Sequence, residues 1–456
     1  MDKKFIYLVG GGLLLTVILI VILVATSNQK PKIATNTAKN KVLTIWDYNN
    51  EKAAYDQLNS NFQTDNNIKI NYVVKSADSY LTDTVNAIAA GNGPDVWIVP
   101  NTVMPQYHDK MVAMPTGSIA NSSQKQSDLE VYFNTFPKAV YTDNIFNDQI
   151  YGVPIAIDNL KLFINTDLLN EKLQIYRRAN PEFDATSTQR LINYGPANWD
   201  DFLKIIAFFS PKTNGKFAFS TAALGTTDNI PNYNDILTLL MMQNGAKMVA
   251  DDFVTAQFHT AQNMFSSTSY PGTKALDFYT SFDNTKSPNY TWNATMPNAI
   301  EAFADGQTAM FFGYNKDINQ AKRLQPSLNS QAFNVPQVKL TNNPVNIAQY
   351  DSLTVAKSST NPALAWKYVL KTTLSSYTNS YLSLSKKQAA ANSGSDTNSP
   401  FASTQGWYNP DVIKVKQIFK NTIDQVNAGN NSQTAMDGAA DQVSTLLAKL
   451  KQTQNQ

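Results

Sequence analysis

The chain has no cysteine in 456 residues, which excludes disulfides, thiolate metal sites and a cysteine nucleophile together. Histidine is nearly as scarce: His108 and His259 are the two present, too few to build much imidazole-based metal or acid–base chemistry. An excess of one charge sign is missing as well. Lysine plus arginine number 37 against 35 aspartate plus glutamate, a formal net charge of +2. No basic block or stripe stands out, so no nucleic-acid partner is expected. Asp143-Asn-Ile-Phe-Asn-Asp148 offers oxygen ligands without the spacing and glycine of a calcium loop and reads as a solvated turn. His108 reads as a surface loop residue. No residue set points to a metal, a cofactor or a catalytic centre. No pair of carboxylates is singled out as glycosidic hydrolysis would require, and a non-enzymatic role is expected.

What is present begins with a long apolar run. Phe5 to Ala25 carries no charge, and as a helix it would span about 31 Å at ~1.5 Å per residue, the thickness of a hydrocarbon core. Residues 1–25 are therefore expected to form an uncleaved transmembrane helix that anchors the chain in the lipid bilayer. A cleaved signal peptide is the alternative, but its apolar region is usually only about 7 to 15 residues. Gly10, Gly11 and Gly12 lie inside this run with no following Gly-Lys-Ser/Thr, so they form no phosphate loop. Residues 26–40, rich in Asn, Thr, Lys and Ala, read as a polar tether. The rest of the chain is expected as a soluble part on the extracytoplasmic side of a single-pass membrane protein.

After the tether, strand and helix patterns alternate. Val42 to Trp46 is a short apolar strand, Ala54, Tyr55, Leu58 and Phe62 mark a helical face, and Ile68, Ile70, Tyr72 and Val74 alternate as a strand does. Leu81, Val85, Ile88 and Ala89 follow at helical spacing. Gly91 and Gly93 are expected to take the positive φ that closes this helix, and Pro94 blocks its continuation. Val96 to Val99 then reads as a strand covered on both faces, with its carboxyl end, Pro100-Asn101-Thr102, at the mouth of a ligand cleft. The β-α-β-α-β order predicts a parallel sheet flanked by helices, and a chain of this length predicts two or three domains. Trp46 lies within its strand's apolar run and is expected in the core.

Six motifs in order carry a resemblance. They are Leu43-Thr-Ile-Trp46; Ala89-Ala-Gly-Asn-Gly-Pro-Asp-Val96; Tyr151-Gly-Val-Pro-Ile-Ala-Ile-Asp158 with the strand and turn after it; Asn198-Trp-Asp-Asp-Phe-Leu203; Ala302-Phe-Ala-Asp-Gly306 through Gly313-Tyr314; and Ser352-Leu-Thr-Val-Ala-Lys-Ser-Ser359 before Asn361-Pro362. From about Val42 onward the chain resembles an extracellular solute-binding protein of the family 1, maltose-binding type, the receptor component of ABC importers. The resemblance implies an α/β, two-lobed periplasmic-binding-protein-like fold of type II, each lobe a mostly parallel sheet flanked by helices, with a ligand trapped between the lobes by hinge closure. It places residues 41–154 and 351–399 in the N-lobe and 155–350 and 400–456 in the C-lobe. The crossings fall at Pro154 to Asp158, at Tyr350 to Val355 and near Pro400. Many relatives are lipoproteins attached through a cysteine, so the absence of cysteine favours the helical anchor.

The resemblance also implies a carbohydrate ligand and ABC permease subunits as partners. Asp158 stands where relatives carry an acidic ligand contact, with a hinge or helix-capping role as its alternative. Tyr314 stands where they place an aromatic platform, and Trp407 resembles a late cleft tryptophan. Tyr48, Asn50, Asn101 and Thr102 lie on strand-end loops that face a cleft in such a fold, with ordinary turns as the alternative, and Trp292 and Tyr350 are further candidate cleft aromatics, with simple packing as theirs. A ligand sensor without transport, or a receptor for a peptide or other polar solute, would use the same cleft.

Overall fold

The computed structural model describes residues 41–49, 51–209, 217, 219–264, 267–338, 344–391 and 401–454. The expected anchor and tether lie outside them, and among the described residues no helix is long and apolar enough to cross a membrane.

The N-lobe begins as its pattern predicts. Strands Val42–Asp47, Lys69–Val74 and Val96–Pro100 pair in parallel and are joined by helices Lys52–Asn66 and Tyr80–Ala89. Val96 to Val99 are all buried because both faces of the sheet are covered. Val96 and Ile98 join a cluster with Leu58, Phe62 and Trp366, while Trp97 and Val99 join another with Tyr80 and Ile88. Gly91, at φ 74°, supplies the left-handed residue after the second helix. Gly93 does not share that conformation as expected. It is required by proximity, since a Cβ there would lie 2.5 Å from Ser358 Oγ and 2.8 Å from Ile88 Cγ1.

Neither lobe has the mostly parallel sheet expected. The N-lobe order is Lys69–Val74, Val42–Asp47, Val96–Pro100, Asp351–Val355, Gly152–Pro154, and Asp351–Val355 is antiparallel to both its neighbours. Direction of travel explains this. Val96–Pro100 runs toward the cleft, whereas Asp351–Val355 starts at the cleft, after the chain has returned from the other lobe, and runs away from it. The C-lobe sheet runs Gln331–Asn334, Lys161–Ile164, Thr308–Gly313, Ser220–Ala222; its first two pairings are antiparallel and the last is parallel. Here Lys161–Ile164 leaves the cleft and Thr308–Gly313 returns to it.

Helices bury these sheets. Pro362–Thr373, entered through an Asn361 side chain that accepts the Leu364 N–H at 3.4 Å, packs Ala365, Trp366 and Val369 into the N-lobe core. Val412–Asn427 and Ser432–Gln454 pack Val415, Phe419, Met436 and Leu447 into the C-lobe core.

Among the described residues, three segments run between the lobes. Strand Ala156–Asn159 pairs antiparallel with Ala348–Gln349 on one side and with Gln388–Ala389 on the other. The third segment joins through Asn346, whose N–H donates to the Ser403 carbonyl and whose carbonyl accepts from the Gln405 N–H, each at 2.9 Å. The link is thus a narrow ribbon of short strands, where a few residues can absorb a change of inter-lobe angle.

Candidate functional site

The ribbon floors a cleft of about 840 Å³ between the lobes, toward the upper end of the roughly 300–1,000 Å³ typical of small-molecule sites. At the floor sits Asp143, on helix Lys138–Asn144. One of its oxygens accepts from Asn101 Nδ2 at 2.9 Å and from the Tyr350 hydroxyl at 2.7 Å. The other lies so close to Gly406, on the third linking segment, that a Cβ at Gly406 would collide with it. Asn101 and Tyr350 are also tied through their backbones: the Asn101 N–H donates to the Tyr350 carbonyl at 2.9 Å, and the Tyr350 N–H donates to Asn101 Oδ1 at 3.2 Å. Burial pushes the Asp143 carboxyl up to about 7, against the opposing pull of its two donors. The solvated turn expected over Asp143 to Asp148 is confined to its tip, where Asn147 and Asp148 take positive φ between strands Ile145–Phe146 and Gln149–Ile150. Asp143 itself is buried because three segments converge on it.

The N-lobe wall is built of tyrosines holding carboxylates. The Tyr48 hydroxyl donates to Asp351, whose other oxygen accepts from Asn49 Nδ2 at 2.8 Å. The Tyr381 hydroxyl donates to Glu51, which also pairs with Lys387 at 2.5 Å. The rings of Tyr55 and Tyr381 meet edge to face at 5.1 Å. Behind them Asp47 accepts from the Tyr72 hydroxyl and from the N–H groups of Tyr48 and Asn49 at 2.7 and 3.0 Å. Burial, only partly offset by these bonds, raises the Asp47 carboxyl to about 6. Burial likewise raises Asp351.

On the C-lobe wall, Tyr314 follows strand Thr308–Gly313, and its hydroxyl donates to Asp235 Oδ2 at 2.8 Å. The same oxygen accepts from Gln349 Nε2 at 2.8 Å. Asp158 accepts from Lys161 Nζ and from the backbone N–H of Asn315 at 2.7 Å, at the first residue of helix Asn315–Leu324. The carboxylate therefore bridges the first linking strand to a helix N-terminus, where a negative charge is favoured. It also faces the cleft and keeps lone pairs for a further donor. Thr102 and Trp407 are half-buried and line the same cavity.

Of the residues singled out in the sequence, Tyr48, Asn101, Thr102, Asp158, Tyr314, Tyr350 and Trp407 meet at this one cavity. Trp292 does not. It is fully buried in the C-lobe core, its indole N–H donating to Asn229 Oδ1 at 3.0 Å, a packing role that its isolated position in the sequence could not reveal. Asn50 lies outside the described residues. Trp46 is half-buried away from the cleft lining, with Lys75 Nζ 4.0 Å from its ring centre. His108 is half-buried rather than a surface loop residue, stacked on Phe146 at 4.0 Å. The sequence reading missed Glu51, Tyr55, Asp235, Gln349, Asp351, Tyr381 and Lys387. Asp351 had a signal, since it opens a strand beside Tyr350. Tyr381 had none, because its helix, Tyr377–Ser385, reaches the wall only by packing on helix Lys52–Asn66.

Comparisons with known proteins point the same way. The family described as bacterial extracellular solute-binding protein matches residues 57–404. A galactooligosaccharide-binding protein of Bacillus subtilis is 22% identical over 150 residues, which is 33% of this chain and 33% of that protein. The chain thus spans about a third of that curated relative's length. Among solved structures, the sugar-binding protein MalE of Xanthomonas citri superposes with a TM-score of 0.69 at 18% identity, over 91% of this chain and 100% of that one. The cyclic alpha-maltosyl-1,6-maltose binding protein of Arthrobacter globiformis does so with a TM-score of 0.67 at 16% identity, over 89% and 98%. At these identities the structural likeness establishes the two-lobed α/β fold.

Proposed function

The chain belongs to the bacterial extracellular solute-binding protein family, and from that premise we propose that it captures a sugar or oligosaccharide between its lobes and delivers it to an ABC permease. The observation that carries this reading is the tyrosine–carboxylate wall formed by Tyr48, Asp351, Tyr381 and Glu51. A sugar presents apolar C–H faces and rows of hydroxyls, so it suits aromatic rings placed beside hydrogen-bonding groups. The names of the B. subtilis and A. globiformis proteins, which bind saccharides, support the ligand class. Tyr48, Asn101, Thr102, Asp158, Tyr314, Tyr350 and Trp407 are the proposed ligand-facing set, with Asn101 and Tyr350 acting chiefly to hold the hinge. The lobes divide at 154/155, 350/351 and 399/400 in this reading. Contacts from both walls would favour the closed form, a population shift with no covalent step. Phe5 to Ala25 would tether the receptor to the membrane.

Thermal unfolding of the full chain with saccharides, amino acids and peptides tests the ligand class. A true ligand at about 100 times its Kd adds about 2.7 kcal/mol. Stabilisation by amino acids or peptides alone would rule out the sugar.

A further inference from the structure

The cleft's carboxylates and its cations are held very differently. Asp158 and Glu51 pair with lysines, and Asp235 and Asp351 are each held by a tyrosine hydroxyl and a side-chain amide. Each is engaged by donors of the protein itself, Asp158 keeping lone pairs to spare. The cations are the reverse. Arg323, Lys386 and Lys416 line the cavity, are exposed, and have no carboxylate partner among the described residues. Lys316 makes one polar contact there, with Gln349 Oε1 at 3.2 Å.

These four come from three separate elements. Lys316 and Arg323 lie seven residues apart on helix Asn315–Leu324, two turns along one face. Lys386 follows helix Tyr377–Ser385 on the N-lobe. Lys416 is on helix Val412–Asn427, its Nζ 5.5 Å from the Tyr233 ring centre. Both lobes thus turn positive charge into one space, beside carboxylates that the protein's own donors already engage. A neutral sugar hydroxyl gains little from a free cation, whereas an anionic group gains a charge-assisted bond.

We propose that the ligand is an acidic saccharide, one carrying a carboxylate, sulfate or phosphate group, whose anionic group is held by Arg323 and Lys416 together with Lys316 and Lys386. This rests on the reading of the cleft as a saccharide site. Each cation lines the cavity and is exposed to solvent, forming its rim in that sense, so the same charges would steer anionic solutes inward at low ionic strength.

Isothermal titration of the full chain against trigalacturonate, a sulfated disaccharide, glucose 6-phosphate and neutral maltotriose, in low and 0.15 M salt, tests the proposal. At least one acidic probe is expected to bind about tenfold or more tighter than maltotriose, with the gap narrowing as salt screens it. The acidic arm that binds identifies the anionic group. The double substitution Arg323→Gln/Lys416→Gln, at exposed positions, should cut the acidic-to-neutral ratio about tenfold. Equal or stronger binding of maltotriose, unaffected by salt, overturns the acidic preference and leaves the saccharide reading standing. A double variant that weakens acidic and neutral probes alike also overturns it, because the cations would then serve lobe closure. Binding of a peptide or amino acid with no saccharide bound overturns both readings.

Discussion

The floor and the rim of the cleft follow opposite rules. At the floor, Asp143, Asn101 and Tyr350 are buried and bonded to one another, and Gly406 is pressed against the same carboxyl. At the rim, Arg323, Lys386 and Lys416 stand in solvent without a carboxylate partner among the described residues. Buried polar groups with few spare bonds fix geometry, and exposed charges with spare bonds select what comes in. On the proposed reading, the floor would serve as the hinge and the rim would discriminate.

The largest effect should follow from breaking the floor. Asp143→Ala leaves the Tyr350 hydroxyl and the Asn101 amide without their shared acceptor, and a loss of about 2–5 kcal/mol is expected in urea unfolding. A loss below about 0.5 kcal/mol would show that the cluster is not holding the linking segments.

The pH dependence of stability comes next. Asp143 and Asp47 have folded-state values raised to about 7 and about 6, whereas in the unfolded chain they ionise near the ordinary value of about 3.9. Between these values the folded state holds more protons than the unfolded one, so stability falls as pH rises from about 4 to about 7 and levels off above that. The total fall should be on the order of several kcal/mol, and Asp143→Asn should remove the Asp143 share while the Asp47 share remains. Stability that climbs across that window, measured by denaturant midpoints, would contradict the assignment.

Gly406→Ala places a methyl group against the Asp143 carboxylate and should cost about 1–3 kcal/mol. A crystal structure of that variant should show the third linking segment shifted. The rim should be nearly silent by the same measure. Arg323→Gln is expected to change stability by less than about 0.5 kcal/mol, since it removes an exposed charge with no ion pair among the described residues. A larger loss would mean that the rim, like the floor, supports the fold.

How much of this could be read from the sequence follows from how local each feature is. Val96–Pro100 was legible because an uninterrupted apolar run after a glycine–proline stop has one common meaning. The direction of Asp351–Val355 was not, since it depends on the chain having visited the other lobe first. Asp158 lines the cavity, but its bonds to Lys161 and Asn315 could not be foreseen from type and position. Gly93 was assigned a dihedral role when its neighbours, Ser358 among them, required its small size. Trp292 looked like a ligand platform only because a tryptophan's burial is invisible in the linear chain.

Asp351–Val355 also bears on how the molecule is assembled in time. It fills the place between Val96–Pro100 and Gly152–Pro154, yet it lies about 250 residues further along the chain than the first and about 200 further than the second. A chain emerging from its amino end must keep those two strands unjoined while nearly the whole second lobe is made. Contacts of such long range slow folding and leave strand edges open to wrong partners. The protein's vulnerable moment is therefore expected before Asp351 arrives. In pulse-labelling hydrogen exchange, those amides of Val96–Val99 that bond to Asp351–Val355 should gain protection late, with the amides of that strand, and their early protection would refute the idea.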